Sequence, residues 1–367
     1  MAVTKAEKVA LTMEGCRMRQ QRLAEVFAGQ KLDAALLTHP GHVQRFSGYW
    51  CRPILPVAMV IRADGRAVLV SGAEATEPVC ADEHVLYESD RYCTLVEDLK
   101  TAAVEAALPH LGGAVAVGCD EPTRPWLLEA CRVESLHETL LALRRRKDVD
   151  EVAMIRHAIA GCDAAYTAAR GVLAPGVEEV EVHAAMHAAA IVAVGEAIGE
   201  FGNDFQSGTP GGPPRRRPAE AGELMPLDIG VVYRGYHSDL CRTFSVDRNP
   251  TSDQEKAHAL VCDAMAYVES TAAPGVKCRD LFDHVHGMLD GQHGWRFFHH
   301  LGHGVGLAPH EAPRLNPNWD DTLAVGDVFT VEPGIYADDL RGGIRLEHDF
   351  LVTDGGVERL SQFPLDL

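Results

Sequence analysis

The chain contains no uninterrupted apolar run approaching the roughly 18 residues that a membrane-spanning helix requires. Its opening stretch, MAVTKAEKVALTMEG, lacks the basic segment and unbroken apolar core of a secretory leader. A cytoplasmic protein without membrane attachment is therefore expected. None of the ten cysteines stands in a Cys-x-x-Cys pair, and a chain of this length needs no covalent staples, so reduced thiols are expected. Positive charge is scarce as well. With 34 basic against 53 acidic residues the formal charge is -19, which argues against binding nucleic acid or anionic lipid through bulk electrostatics. The helical pair His183 and His187 has Ala184, not glutamate, after its first histidine, so no zinc-protease helix is present there. What is there is ordinary globular material: 367 residues, 46% of them hydrophobic, enough for two packed cores.

Between Leu32 and Gly118 short β-rich runs alternate with turns: DAALLTH, LPVAMVIRADGRAVLVSG and GGAVAVG. The Ala-Asp-Gly-Arg turn between two apolar runs predicts a hairpin. Helices are expected over 18–30 and 94–111, which makes the first part a compact α/β unit. A domain boundary is placed near Lys147, dividing the chain into 1–147 and 148–367. The second part reads as two helices (149–172 and 178–199) before a β-rich stretch (224–246), then two more (252–271 and 278–290) before another (297–352). The expected class is α+β, with helix, helix and hairpin stated twice.

Carboxylates concentrate in those β stretches. In LMPLDIGVVYRGYHSDLCRTFSV, Asp228 and Asp239 are equidistant from the turn at Tyr233-Arg234-Gly235, which predicts that they face each other across a hairpin. In TVEPGIYADDLRGGIRLEHDFLV, Glu332 and Glu347 are likewise centred on the turn. Acids opposed in apolar strands repel unless a cation lies between them, so the four define a hard-cation site suited to Mn²⁺, Co²⁺, Zn²⁺ or Mg²⁺. HHLGHGVGLAPHEAP adds His299, His300, His303 and His310 as nitrogen donors; His303, flanked by Gly302, Gly304 and Gly306, is the preferred ligand.

Through LDIG, GYHSDLCRTF, GHGVGLAPHE, TVEPGIY and GIRLEHDFLVT, in this order and spacing, the chain resembles the pita-bread metallohydrolases of the M24 type: methionine aminopeptidase, aminopeptidase P, prolidase and metal-free creatinase. The N-terminal ~140 residues more weakly resemble the accessory domain of the aminopeptidase P, prolidase and creatinase branch. The resemblance implies two divalent metal ions (Mn, Co or Zn). Asp239 and Glu347 would bridge them, Asp228 would complete one and His303 with Glu332 the other. It further implies a hydroxide nucleophile near pH 7, Glu332 as proton shuttle, His310 on the substrate carbonyl, His299 as a further substrate-side histidine, and Arg345 orienting ligands or touching substrate. The implied enzyme is a cytoplasmic, homodimeric Xaa-Pro dipeptidase or aminopeptidase P acting on a small peptide, with manganese among the candidate metals.

One departure bears on the substrate. Family peptidases carry a Pro-His-Gly histidine about seventeen residues before the first aspartate, where this chain has Gly211 in the histidine-free loop SGTPGGPPRRRPAEAGE. That loop offers Asp204 and Gln206 nearby and the run Arg215, Arg216 and Arg217, read here as a clamp for a substrate carboxylate. Loss of the histidine favours an alternative: a small-molecule C–N hydrolase or a lyase on the same scaffold, as in ectoine hydrolase and the dimethylsulfoniopropionate lyases. Trp50, with Tyr49 and Arg52 in a turn of the N-terminal part, is a candidate substrate contact reaching a partner's site. Cys241 and the His183–His187 pair are read as packing residues.

Overall fold

The computed structural model describes residues 8–51, 54–89, 98–123 and 128–367. Two compact units divide the chain at Arg144 and Arg145. In the N-terminal unit the elements run α1 (Met13–Gln30), β1 (Ala34–Leu37), α2 (Pro40–Ser47), β2 (Ala58–Arg62), β3 (Ala67–Ser71), β4 (Glu83–Leu86), α3 (Leu99–Ala107), β5 (Ala116–Cys119), β6 (Arg132–Ser135) and α4 (His137–Arg145). The strands form one mixed sheet in the order β4-β3-β2-β1-β5-β6. Its central strand β1 is buried along its whole length, because helices cover both faces. Leu23, Phe27, Val43, Phe46 and Leu140 pack on one face. Ala103, Val104 and Ala107 of α3 pack on the other. The edge strands β4 and β6 were not expected: EHVL and RVES carry little apolar periodicity, and β6 is exposed throughout. Much of the helix expected over 94–111 is α3; residues 94–97, like Arg52, lie outside the described residues.

The C-terminal unit continues with α5 (Val149–Val172), α6 (Glu179–Val194), β7 (Leu224–Ile229), β8 (Val232–Tyr233), β9 (Tyr236–His237), β10 (Leu240–Ser245), α7 (Ser252–Thr271) and α8 (Cys278–Leu289). It ends with β11 (Gly302–Gly304), β12 (Glu311–Leu315), β13 (Val328–Val331), β14 (Gly334–Ala337), β15 (Gly342–Arg345), β16 (His348–Thr353) and β17 (Gly356–Arg359). The architecture is α+β.

Local signals explain the helix starts. Glu151 accepts the backbone N–H of Asp148 at 3.1 Å at the head of α5, and Thr251 and Gln254 close a reciprocal capping box on α7. Gln254 reaches further: its amide nitrogen donates to the Leu340 carbonyl at 2.9 Å, tying the start of α7 to the turn between β14 and β15. On α8, Leu281, Val285 and Leu289 repeat at four-residue spacing and pack with Val261, Ala264 and Val268 of α7 against Phe329, Ile335, Ile344 and Phe350. Full burial of each such side chain contributes about 1.5–3 kcal/mol. The five-stranded sheet β12-β11-β13-β16-β17 and the ribbon β14–β15 are thereby held on a rigid backing, while Tyr166 of α5 donates its hydroxyl to the Leu240 carbonyl of the ribbon β7–β10 at 2.6 Å.

Candidate metal centre and active site

Each acidic residue of interest stands at the end of a strand. Asp228 is the penultimate residue of β7, Asp239 immediately precedes β10, Glu332 joins β13 to β14, and Glu347 joins β15 to β16. The glutamate ribbon keeps the expected register: Gly334 pairs with Arg345 and Val331 with His348, so Glu332 and Glu347 share a level between them. The aspartate ribbon does not. Arg234 and Gly235, both at positive φ, form a two-residue turn of the type that matches strand twist, and Tyr233 pairs with Tyr236. This centres the hairpin one residue later than expected, so Asp228 faces Cys241 and Asp239 is its diagonal neighbour. The slip is two residues in pairing, an even number, so both aspartates still point from the same face.

The acids converge. Donor oxygens of Asp228, Asp239 and Glu347 lie within 4.8 Å of one another, and so do donor atoms of His300, His303 and Glu332 and of Asp239, His303 and His310. His303 Nε2 is 3.5 Å from Glu332 Oε1 and 3.8 Å from Asp239 Oδ2, which links the groups. Gly302 and Gly304 make this possible: a Cβ on either would collide with the carbonyl of Thr330 or of Ala312, so only glycine lets β11 carry His303 so deep.

The electrostatics are uneven. Burial pushes Asp228 up to about 6 despite the Arg345 guanidinium beside it. Burial, then repulsion from neighbouring carboxylates, holds Asp239 and Glu347 well above the usual carboxylate range. Burial also raises Glu332, but the hydrogen bond from His300 and the charges of His303 and His299 outweigh it and bring this group down to about 2. His303 is lowered to about 4, chiefly by burial. Glu347 Oε2 is buried with no hydrogen-bond partner. An orphaned carboxylate oxygen among like charges, with imidazole nitrogens adjacent, is the environment that divalent cations relieve, and the donor set fits them.

These groups line a cavity of about 730 Å³ together with Asp204, Gly211, His237, Phe298, His299, His310, Tyr336 and Arg345. His310 sits beside His303, ring centroids 4.0 Å apart. Two residues emerge more strongly than in the sequence. His300 approaches Glu332 Oε1 at 2.7 Å, although the doublet His299-His300 offered no means of ranking it. Tyr336 bridges His299 Nε2 at 2.8 Å and Arg345 Nη1 at 3.1 Å.

The loop arginines Arg215 and Arg217 are engaged by protein carboxylates and are not among the residues lining the cavity. Arg215 is bidentate to the buried Glu179 at 2.6 and 2.9 Å, Arg217 pairs with the buried Glu223, and exposed Arg216 does not line the cavity. Arg345 is equally committed: it bonds Asp204 and lies 2.7 Å from Asp228 Oδ2, an arrangement that fits the expected orienting of a ligand carboxylate. Both nitrogens of His299 are engaged, Nδ1 with the His300 carbonyl and Nε2 with Tyr336. Trp50 is 43% exposed in the N-terminal unit. Cys241 is fully buried, with its thiol raised well above the ordinary range by burial. His183 and His187 pack edge-on to Phe201.

The sequence profile of metallopeptidase family M24 matches residues 153–354. A putative dipeptidase, YkvY, of Bacillus subtilis is 34% identical over 238 residues, 64% of this chain and 65% of the relative's own length, just under two thirds of it. A Xaa-Pro dipeptidase of Pyrococcus horikoshii is 27% identical over 355 residues, covering 95% of this chain and 97% of the relative. The solved Xaa-Pro dipeptidase from Bacillus anthracis superposes with a TM-score of 0.79 at 24% identity, covering 96% and 99% of the two chains. The prolidase from Pyrococcus horikoshii OT3 gives 0.76 at 23% identity, covering 95% and 99%. Both show the same fold, including the N-terminal domain. The chain is an enzyme of metallopeptidase family M24.

Proposed function

We propose that the chain is a dinuclear metal-dependent exopeptidase that cleaves Xaa-Pro bonds at the amino end of small peptides. The observation that carries this reading is the interlocking of three donor groups through Asp239 and His303. One group is all oxygen and two contain imidazole nitrogen, which suits two adjacent cations. Asp228, Asp239 and Glu347 would hold one; His303 and Glu332, with Asp239 and Glu347 shared, would hold the other. When bound, such a pair supplies an acidified water as nucleophile and polarises the scissile carbonyl. The similarity to Xaa-Pro dipeptidases and a putative dipeptidase supports the substrate class.

The protein groups divide the remaining work. Glu332, ionised and held by His300, takes the proton of the attacking water on its carboxylate and delivers it to the leaving nitrogen. His310, on the exposed side of His303, donates to the oxygen that gains charge in the tetrahedral stage. Arg345 fixes Asp228, and Tyr336 fixes Arg345 and His299 in turn.

Elemental analysis of the purified protein should find close to two transition-metal ions per chain, and incubation with Xaa-Pro peptides should release the N-terminal residue. No metal bound after exposure to Mn²⁺ or Co²⁺ would end this reading. Metal bound without cleavage of any Xaa-Pro peptide or amide would transfer the site to small-molecule C–N chemistry, which the histidine-free loop at Gly211 favours.

A further inference from the structure

Beneath the donors the sheet carries two polar side chains, Thr330 of β13 and Asp349 of β16, that belong to none of the three donor groups. They stand directly opposite each other, both fully buried, and an antiparallel pair so placed points from one face. Each receives a backbone N–H from a different segment of the chain. Asp349 Oδ2 accepts the N–H of Asp239 at 3.2 Å, and Thr330 Oγ1 accepts that of His303 at 3.3 Å. Asp239 and His303 are the residues through which the donor groups interlock, and their side chains approach to 3.8 Å. The supports are neighbours, and so are the groups they support.

Backbone bonds complete the frame. The Glu347 N–H donates to the Cys241 carbonyl at 3.0 Å, and Arg242 Nη1 donates to the carbonyls of Cys241 and Glu347 at 2.8 and 2.6 Å. Two residues further on, where Asp239 meets Asp349, the Asp349 carbonyl is already taken by the Leu360 N–H at 2.8 Å. The Asp349 side chain therefore does there what a main-chain carbonyl would do in a continued ladder. Its other oxygen, Oδ1, is buried with no hydrogen-bond partner, so among the described residues the bond to Asp239 is the one this carboxylate makes. Resting on the dinuclear reading, we propose that Asp349 and Thr330 are positioning residues that set the spacing of Asp239 and His303, and so the separation at which two cations can be held together. Each acts by holding the N–H of a donor. A donor whose backbone is left unheld must be ordered when the ion binds, which weakens that binding.

The test strips the full-length protein of metal and titrates it with Mn²⁺ by calorimetry, with elemental analysis of the loaded product. Wild-type protein should take up two ions. In Asp349→Ala the Kd of the weaker ion should rise about 10- to 100-fold. Thr330→Val keeps the shape and loses the hydroxyl, and should raise it about 2- to 10-fold, the effect of one neutral hydrogen bond. Asp349→Asn keeps an oxygen acceptor at the same reach and should stay within about threefold of wild type. Unchanged Kd values in Asp349→Ala, even with a lowered melting temperature, overturn the inference while leaving the metal centre intact. Asp349→Asn as weak as Asp349→Ala also overturns it, because charge and not the hydrogen bond would then govern binding. Fewer than two ions in the wild type is a separate result: it ends the dinuclear reading, and the inference with it. If Asp349→Ala does not fold, Asp349→Leu, which fills the space without an acceptor, replaces it; a chain that folds with neither assigns Asp349 to stability and overturns the positioning role.

Discussion

In one half of the cavity Asp228, Asp239 and Glu347 stand together with Arg345 as their nearest counter-charge; in the other, Glu332 is surrounded by His299, His300 and His303. The first three acids are pushed up by burial and mutual repulsion, and the fourth is pulled down by its imidazole neighbours. Residue type alone does not explain this, since a glutamate is found in each half. The difference lies in what the fold packs beside them. An oxygen-rich half with raised pKa values depends on a cation to be fully ionised. A histidine-rich half is ionised in advance, and so can hold its donors in place before any cation arrives.

The strongest way to break this contrast is Asp239→Ala, because Asp239 belongs to both halves. Metal content should fall to one ion or fewer per chain, and kcat/KM should fall on the order of a thousandfold; retention of two ions would show that the halves are independent of Asp239. Lys147→Met removes an ion-pair partner of buried Glu311, next to His310, and should cost about 3 kcal/mol. That is roughly 6–12 °C in melting temperature for a unit of this size, read by calorimetry. A drop under a few degrees would mean that the histidine side does not rely on this ion pair.

His300→Ala should lower kcat by about 10- to 100-fold while leaving the ion at the oxygen-rich half in place. Loss of both ions would erase the distinction. The pH dependence sharpens it further. Asp228 has its folded pKa raised to about 6, so metal-free protein loses this contribution to stability as pH rises from about 4 through 6, where the unfolded chain releases the proton first. Cation loading should therefore raise the melting temperature more at pH 7.5 than at pH 5.5; an equal gain at both would contradict the assignment. The smallest effect belongs to Cys241→Ser, which should leave metal content unchanged and cost about 1 kcal/mol or more through the buried hydroxyl, measured by denaturant unfolding.

The glutamate ribbon was legible because its strands pair without interruption in register, so position along the chain translated directly into position in space. The aspartate ribbon is less legible because of one turn geometry: nothing local distinguishes a turn centred on Arg234-Gly235 from one centred a residue earlier until the positive φ values are seen. The shift leaves the site intact, because an even slip preserves the face of a strand and an odd one would invert it. The three arginines show the opposite failure. Their charge is evident in the sequence, but Glu179 lies 36 residues from Arg215, and an ion pair at that separation leaves no periodic trace.

By itself, then, the sequence determined which residue types meet: alternation and turn chemistry set the strand faces, and glycines at 302 and 304 marked where a backbone had to come close. Only the tertiary structure decided which charges remain unpaired. A carboxylate or guanidinium takes its character from burial and from the nearest opposite charge, and for Asp204, Glu332 and Arg345 those neighbours come from segments far apart in the chain.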